Sequence, residues 1–146
     1  PVPVGLSTNW DQPPPQYGTP EGEYTLCSSA KETKYTHFFA ISYPGPKDVA
    51  AAVASRAYSG AALERIRASQ RPGRCPDFFT KLGGLFGVHG APTQAAAEYA
   101  ANEAKDPEIL QVTRSDWTLG CVAVENRVIR FLAKELRVGT PILIVR

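Results

Sequence analysis

The sequence predicts an α+β domain, mainly β, with helices at its periphery. Two observations carry this reading. Short runs rich in β-branched and aromatic residues, some alternating with period two, recur along the chain and end at glycine or proline. Between them lie segments of helical spacing or helix-favouring composition with start and stop signals of their own. At 146 residues, 43% hydrophobic and 21% charged, the chain suits one domain, 1–146, with a real core. A formal net charge of +2 with scattered basic residues argues against nucleic acid as a partner. No apolar run approaches the length of a transmembrane segment. The opening P-V-P-V has neither a charged n-region nor an apolar h-region, so no signal peptide is visible.

The elements follow in chain order. Val2, Val4 and Leu6 alternate and read as a strand. Residues 9–18 hold three consecutive prolines and read as a polyproline-like surface loop. Thr19-Pro20-Glu21-Gly22 is a turn, and Glu23 to Cys27 a strand with Tyr24 and Leu26 inward. Ser28 to Lys34 is polar and reads as a loop. Tyr35 to Tyr43 is strongly β-prone and is stopped by Pro44-Gly45-Pro46. His37, inside it, reads as structural or exposed.

Asp48 is a candidate N-cap for a helix from Val49 to about Arg56. Ser59 could cap a second, Gly60 to Gln70, with Leu63 and Ile66 on one face. Arg65, Arg67 and Arg71 read as a solvated face. Arg71 to Asp77 is a loop containing Cys75. Gly83-Gly84 releases the chain into a strand, Leu85 to His89. The alanine-rich stretch Ala91 to Ala104 reads as a helix ended by Asp106-Pro107, and Ile109 to Val112 as a short apolar segment. After the apolar run Val122-Ala123-Val124, Asn126 is a candidate cap for a helix to about Arg137. Val128, Phe131, Leu132 and Leu136 would form its buried stripe, and Gly139 would end it. Thr140 to Val145 reads as a final buried strand.

The chemistry concentrates in Asp116 to Asn126, D-W-T-L-G-C-V-A-V-E-N. Cys121 follows Gly120 between a polar loop and an apolar run, where a sulfur can be held exposed. Such a thiol needs a base to become a useful nucleophile. Of the two histidines, His89 ends an apolar strand in L-F-G-V-H-G. Taken alone, one cysteine and one histidine are more often packing residues. No CxxC or HxxxH spacing is present, so no metal is expected.

The motif V-H-G, then W-T-L-G-C-V-A-V-E-N, a helix, and V-G-T-P-I-L-I resembles the catalytic domain of the L,D-transpeptidases of bacterial cell walls, the YkuD family. T-P-E-G-E-Y at Thr19 to Tyr24 and I-S-Y-P at Ile41 to Pro44 resemble the same family in the expected order. The resemblance runs from about Val4 to Ile144. It implies a mainly β sandwich or barrel with peripheral helices and a helical insertion. In that family a hairpin or more of sheet precedes the first strand read here, so either N-terminal strands are missing or the fold is trimmed. Residues 47–82 exceed the family's usual crossing and read as an insertion, a candidate lid over the cleft. His89 and Cys121 stand 32 positions apart, longer than is common, and the alanine-rich helix fits as a second insertion.

The resemblance also implies roles. Cys121 would be the nucleophile and His89 the general base and acid. The backbone carbonyl of Gly90 would orient His89, and the backbone N–H groups of Gly120 and Cys121 would meet the oxyanion. Asp116, Trp117, Thr118, Leu119 and Tyr43 are candidates for substrate binding. Leu119 stands where many members carry a second histidine, which puts acceptor choice in doubt more than the nucleophile.

The family's reaction takes a peptidoglycan tetrapeptide stem, expels D-alanine and leaves a thioester. An amine of another stem then gives a 3-3 cross-link, a lysine of a lipoprotein gives protein attachment, and water gives an L,D-carboxypeptidase. Carbapenems acylate the same cysteine. No cofactor or metal is implied. The expected place is the periplasm or cell envelope, the chain being secreted with its signal not in this sequence. A free Cys121 in an oxidising compartment leaves Cys27 and Cys75 as the disulfide. A murein hydrolase and a wall-binding domain without catalysis are the competing readings.

Overall fold

The computed structural model describes residues 18–56, 58, 60–93 and 118–145, and the backbone of residues 4 and 5. The proline-rich loop, the Ser59 cap, the alanine-rich helix and Ile109 to Val112 lie outside the described residues.

The architecture is α+β. The chain enters through β1 (Val4–Gly5), β2 (Gly22–Thr25), β3 (Lys31–Thr33) and β4 (Thr36–Ala40). Two helices follow, α1 (Pro46–Ser55) and α2 (Gly60–Ser69), then β5 (Gly87–His89), β6 (Val122–Val124), α3 (Asn126–Glu135) and β7 (Pro141–Ile144). One sheet has the order β1-β6-β5-β4-β3 and the other pairs β2 with β7. Neither sheet, among the described residues, closes into a barrel; the barrel half of the sequence expectation gives way to two open sheets.

Pairing across the larger sheet fixes what faces what. β4 and β5 are antiparallel, with Phe38 opposite His89 and Phe39 opposite Val88. β5 and β6 are parallel, with Val88 beside Val122 and His89 beside Ala123. Because strand side chains alternate, Phe39, Val88, Val122 and Val124 share one face. That face joins Ile129 of α3 with Tyr24, Leu26 and Ile144 around the second sheet in the main core. Phe38 and His89 are left on the opposite face. Each fully buried side chain of the size of Leu26, Phe39, Ile41 or Ile129 contributes about 1.5–3 kcal/mol by leaving water.

Several local expectations shift. β3 forms where a loop was expected; its Lys-Glu-Thr is wholly exposed. An edge strand of that kind has no inward face and hence no alternation to betray it. α1 starts two residues before Asp48, with Pro46 in its first turn, and Asp48 accepts from the Gly45 N–H at 2.7 Å as an N3 partner, not as the cap. α3 is capped by Glu125, not Asn126, and its buried positions are Asn126 and Ile129. Phe131, expected in the stripe, is 61% exposed. β7 is an edge strand of a two-stranded sheet, with Leu143 exposed.

Residues 46–82 fold as a packed unit. Val49, Ala52, Leu63, Ile66 and Leu82 make a second apolar cluster. Tyr43 donates to the Leu82 carbonyl at 2.7 Å, and Gln70 donates to the Pro44 carbonyl at 2.8 Å. Cys75 is joined to Cys27 by a disulfide across 48 residues of chain, and Cys121 is free.

A bridge closing a loop of that length stabilises a domain by roughly 4 kcal/mol in the chain-entropy account. Cys75→Ser is therefore expected to lower the unfolding free energy, read from denaturant titration in non-reducing buffer, by an amount of that order. Thiol titration of the unfolded, unreduced chain should count one thiol; a count of three would remove the bridge.

Candidate active site

His89 ends β5 and is 4% exposed. Its Nδ1 lies 2.7 Å from the carbonyl oxygen of Gly90. A carbonyl only accepts, so Nδ1 carries the proton and Nε2 holds the lone pair in the neutral ring. The Tyr35 ring lies against the imidazole at 4.8 Å between centres, tilted by 38°. Burial is the chief influence on His89 and lowers its pKa; the Gly90 hydrogen bond raises it less. A ring so placed is neutral at neutral pH and can take a proton.

The carbonyl that orients the ring is itself immobilised. Gly90 N–H donates to Tyr35 O at 3.0 Å. A Cβ on Gly90 would lie 2.3 Å from Asn126 Oδ1 and 2.9 Å from both Ile129 Cγ2 and Tyr35 O, so only glycine fits. Asn126 is buried and accepts from Thr36 Oγ1 at 2.8 Å, which holds it beside Gly90.

Cys121 sits one residue before β6, and the parallel pairing of β6 with β5 brings it alongside the approach to His89. Its Sγ lies 3.8 Å from the Leu85 carbonyl oxygen, within reach of a weak S–H bond. Leu85 has φ 56°, a left-handed conformation that costs a non-glycine residue about 1–2 kcal/mol. The thiol is half-buried, yet the protein around the sulfur pushes its pKa up to about 11, offset in part by a hydrogen bond from the Gly87 backbone. At neutral pH the free protein therefore holds a thiol beside a neutral imidazole, not a preformed ion pair.

Gly120 precedes it with φ 112°, and a Cβ there would lie 2.3 Å from the Phe86 ring and 3.0 Å from Gly18 O. Both the dihedral and the space require glycine. Thr118 is buried and donates to the Cys121 carbonyl at 2.8 Å, bracing the turn. Leu119, between them, is 70% exposed.

One cleft of about 570 Å³ gathers these groups: His89, Cys121, Thr118 and Leu119 are joined by Leu85, Thr33, Lys34, Tyr35 and Phe38. The last four come from β3, β4 and their turn, which sequence reasoning did not connect to the site. Tyr43 is not brought to it: the side chain is 4% exposed in the core against Tyr24 and Phe86. None of the described residues of 47–82 lines the cleft. Asp116 and Trp117 lie outside the described residues. His37 is half-buried on β4, and its Nδ1 has no partner among the described residues. Among those residues, no three His, Cys, Asp or Glu side chains gather as metal ligands would, and no helix is long and apolar enough to cross a membrane.

The sequence profile of the YkuD family, described as the L,D-transpeptidase catalytic domain, matches residues 1–144. No curated protein matches the chain. Among solved structures, the helical cell shape determining protein Pgp2 of Campylobacter jejuni, as its K307A mutant, superposes with a TM-score of 0.52 at 17% identity, over 96% of this chain and 35% of that one. An L,D-transpeptidase from Mycobacterium smegmatis aligns with a TM-score of 0.46 at 11% identity, over 99% of this chain and 48% of that one. The present chain thus spans about a third to a half of the length of these structures.

Two outcomes follow from the geometry. Alkylation of Cys121 by iodoacetamide in the free protein, followed by mass spectrometry, should accelerate with pH toward about 11; a plateau already reached near neutrality would establish a resting thiolate instead. Gly90→Ala forces contacts that cost roughly 1–3 kcal/mol and should displace the imidazole, seen as a lower melting temperature together with altered His89 side-chain ¹⁵N shifts. Unchanged shifts would mean that the Gly90 carbonyl does not set the ring.

Proposed function

Because the chain belongs to the YkuD family of L,D-transpeptidase catalytic domains, we propose that it is a cysteine acyltransferase acting on peptidoglycan stem peptides in the cell envelope. The observation that carries this reading is the 2.7 Å contact between His89 Nδ1 and the Gly90 carbonyl, in the cleft that also holds the Cys121 thiol. With Nδ1–H committed to that carbonyl, Nε2 is the atom that can accept a proton from sulfur.

The steps follow from the two resting states. The stem enters the cleft and displaces water. Cys121 Sγ gives its proton to His89 Nε2 as it attacks the carbonyl that precedes the terminal D-alanine. The proton moves with the attack, since neither group is ionised beforehand. The backbone N–H groups of Gly120 and Cys121 are the donors for the developing oxyanion, and glycine at 120 lets the substrate approach the main chain closely. The imidazolium returns its proton to the leaving amine, and D-alanine departs. An amine then attacks the thioester carbonyl and gives its proton to His89; the C–S bond breaks, and His89 returns the proton to sulfur, restoring the Cys121 thiol. An amine of a second stem yields a 3-3 cross-link and a lipoprotein lysine a protein attachment. Trp117, Asp116, Thr118 and Leu119 belong to the substrate side of this scheme, with Thr118 bracing the nucleophile's turn and Leu119 offering an exposed apolar contact. The same thiol is the group a carbapenem would acylate.

Purified protein incubated with disaccharide-tetrapeptide is expected to form dimers joining a tetrapeptide to a tripeptide stem, read by mass spectrometry. Cys121→Ala should abolish them, and His89→Ala should slow them by about 10²–10⁴, the usual contribution of a positioned base. Tripeptide monomers without dimers would make water the acceptor. Neither product, with no carbapenem adduct on Cys121, would end the catalytic reading. In the active protein, kcat/KM should rise with pH as His89 loses its proton, with the limb below the ordinary histidine value because burial lowers that pKa.

A further inference from the structure

We infer that Lys34 is the anchor for the carboxylate of the residue that leaves, and so selects donors that end one residue beyond the bond attacked. The inference rests on the acyl-transfer reading above and adds a residue to it. Among the described residues that line the cleft, Lys34 carries the one formal charge, since His89 is neutral at rest and no acidic side chain is present. Nor does its ammonium have a carboxylate partner among the described residues: the three ion pairs present involve Lys47, Arg67 and Arg127.

The ammonium has one aromatic contact. It lies over the Tyr35 ring, 5.1 Å from the centroid, and that ring lies 4.8 Å from the imidazole centre of His89. The charge is therefore no farther from the base than those two distances combined. The backbone beneath it is pinned at two points. Thr93 N–H donates to the Lys34 carbonyl at 3.0 Å, and Gly90 N–H donates to the Tyr35 carbonyl at 3.0 Å. Within the turn, Tyr35 N–H donates to Thr33 Oγ1 at 3.0 Å, and Thr36 takes φ 67°. The residue that fixes the imidazole thus also fixes the register of the lysine, and a backbone held in advance loses less entropy on binding.

The chemistry of the donor supplies the complement. One residue of extended chain spans roughly 3.5 Å. A single leaving residue keeps its terminal carboxylate inside the cleft, beside the ammonium. A longer leaving peptide would carry its terminus past the ammonium and set a neutral amide there. A lysine contacts such an anion as a point charge and tolerates variation in the leaving residue's side chain.

The test compares two donors, disaccharide-tetrapeptide and the same compound amidated at its terminal carboxylate, with wild type, Lys34→Met and Lys34→Arg. Lys34→Met is expected to raise KM for the free carboxylate about tenfold with kcat changed by no more than about twofold. On the amidated donor the wild type should fall to the level of Lys34→Met, and Lys34→Arg should recover most of the loss on the free acid. Equal KM values for wild type and Lys34→Met would overturn the proposal. So would an equal loss on both donors, which would mark Lys34 as a support for Tyr35. A second measurement needs no turnover: calorimetric binding of the tetrapeptide to Cys121→Ala should weaken about tenfold when Lys34→Met is added. Unchanged or undetectable binding overturns the anchor. Lys34-dependent binding by a wild type that transforms neither donor would refute the catalytic reading and leave the anchor standing.

Discussion

The hydrogen bond between His89 and the carbonyl of its own neighbour, Gly90, constrains more of this molecule than any other contact. It commits one ring nitrogen and, in the proposed mechanism, leaves the other to take the proton, but only while that carbonyl stays still. Gly90 is enclosed by three residues: Tyr35, whose carbonyl in the β3–β4 turn accepts from its N–H, and Asn126 and Ile129 in α3. Asn126 is held in turn by Thr36. A carboxylate in the same role would bring a charge and a side chain with rotamers of its own. A backbone carbonyl brings neither, and its position is inherited from the sheet. The cost falls on the sequence: position 90 tolerates no Cβ, and position 126 must be a polar residue buried at the start of a helix.

The same economy explains the resting state of the thiol. Among the described residues the one influence that favours a thiolate at Cys121 is a backbone donor, and burial works against the charge. Burial likewise works against a protonated His89. Both groups are thus neutral, and the electrostatic work of making an ion pair is deferred until substrate is present. A thiol is also harder to oxidise than a thiolate, which suits a free cysteine in a chain that carries a disulfide elsewhere.

Legibility in the sequence divided along physical lines. His89, Gly90, Gly120 and Cys121 stood out because each lies in a short motif whose glycines mark backbone constraints, and such constraints are local. Lys34, Tyr35 and Phe38 did not stand out, because their place in the cleft depends on β4 lying beside β5, a pairing across some fifty residues of chain. The stripe of α3 was legible in part: Val128, Leu132 and Leu136 pack against the core and Phe131 does not. A stripe drawn through apolar residues passes over Asn126, which is buried with Thr36 as its partner, and so the most deeply buried positions of the inward face, Asn126 and Ile129, were not in it. Cys27 and Cys75 could be paired only by elimination once Cys121 was given a role, since spacing alone does not choose among three cysteines.

Residues 46–82 reach the active site by a different route from the one their length suggests. The described residues among them add nothing to the lining of the cleft, and their own apolar cluster, the disulfide and the Tyr43 hydroxyl tie them to the core. But the unit ends at Leu82, and the next turn is closed on itself by a hydrogen bond from the Gly83 N–H to the Thr80 carbonyl. Gly84 then passes directly against the carbonyl of Phe78, and the chain emerges as Leu85 in a left-handed conformation. Leu85 is where the thiol rests its proton. A strained residue keeps its conformation only if its neighbours overdetermine it. The packed unit supplies that determination from one side and β5 from the other. In the proposed mechanism its contribution is thus positional: it sets the carbonyl that the thiol would leave in order to attack.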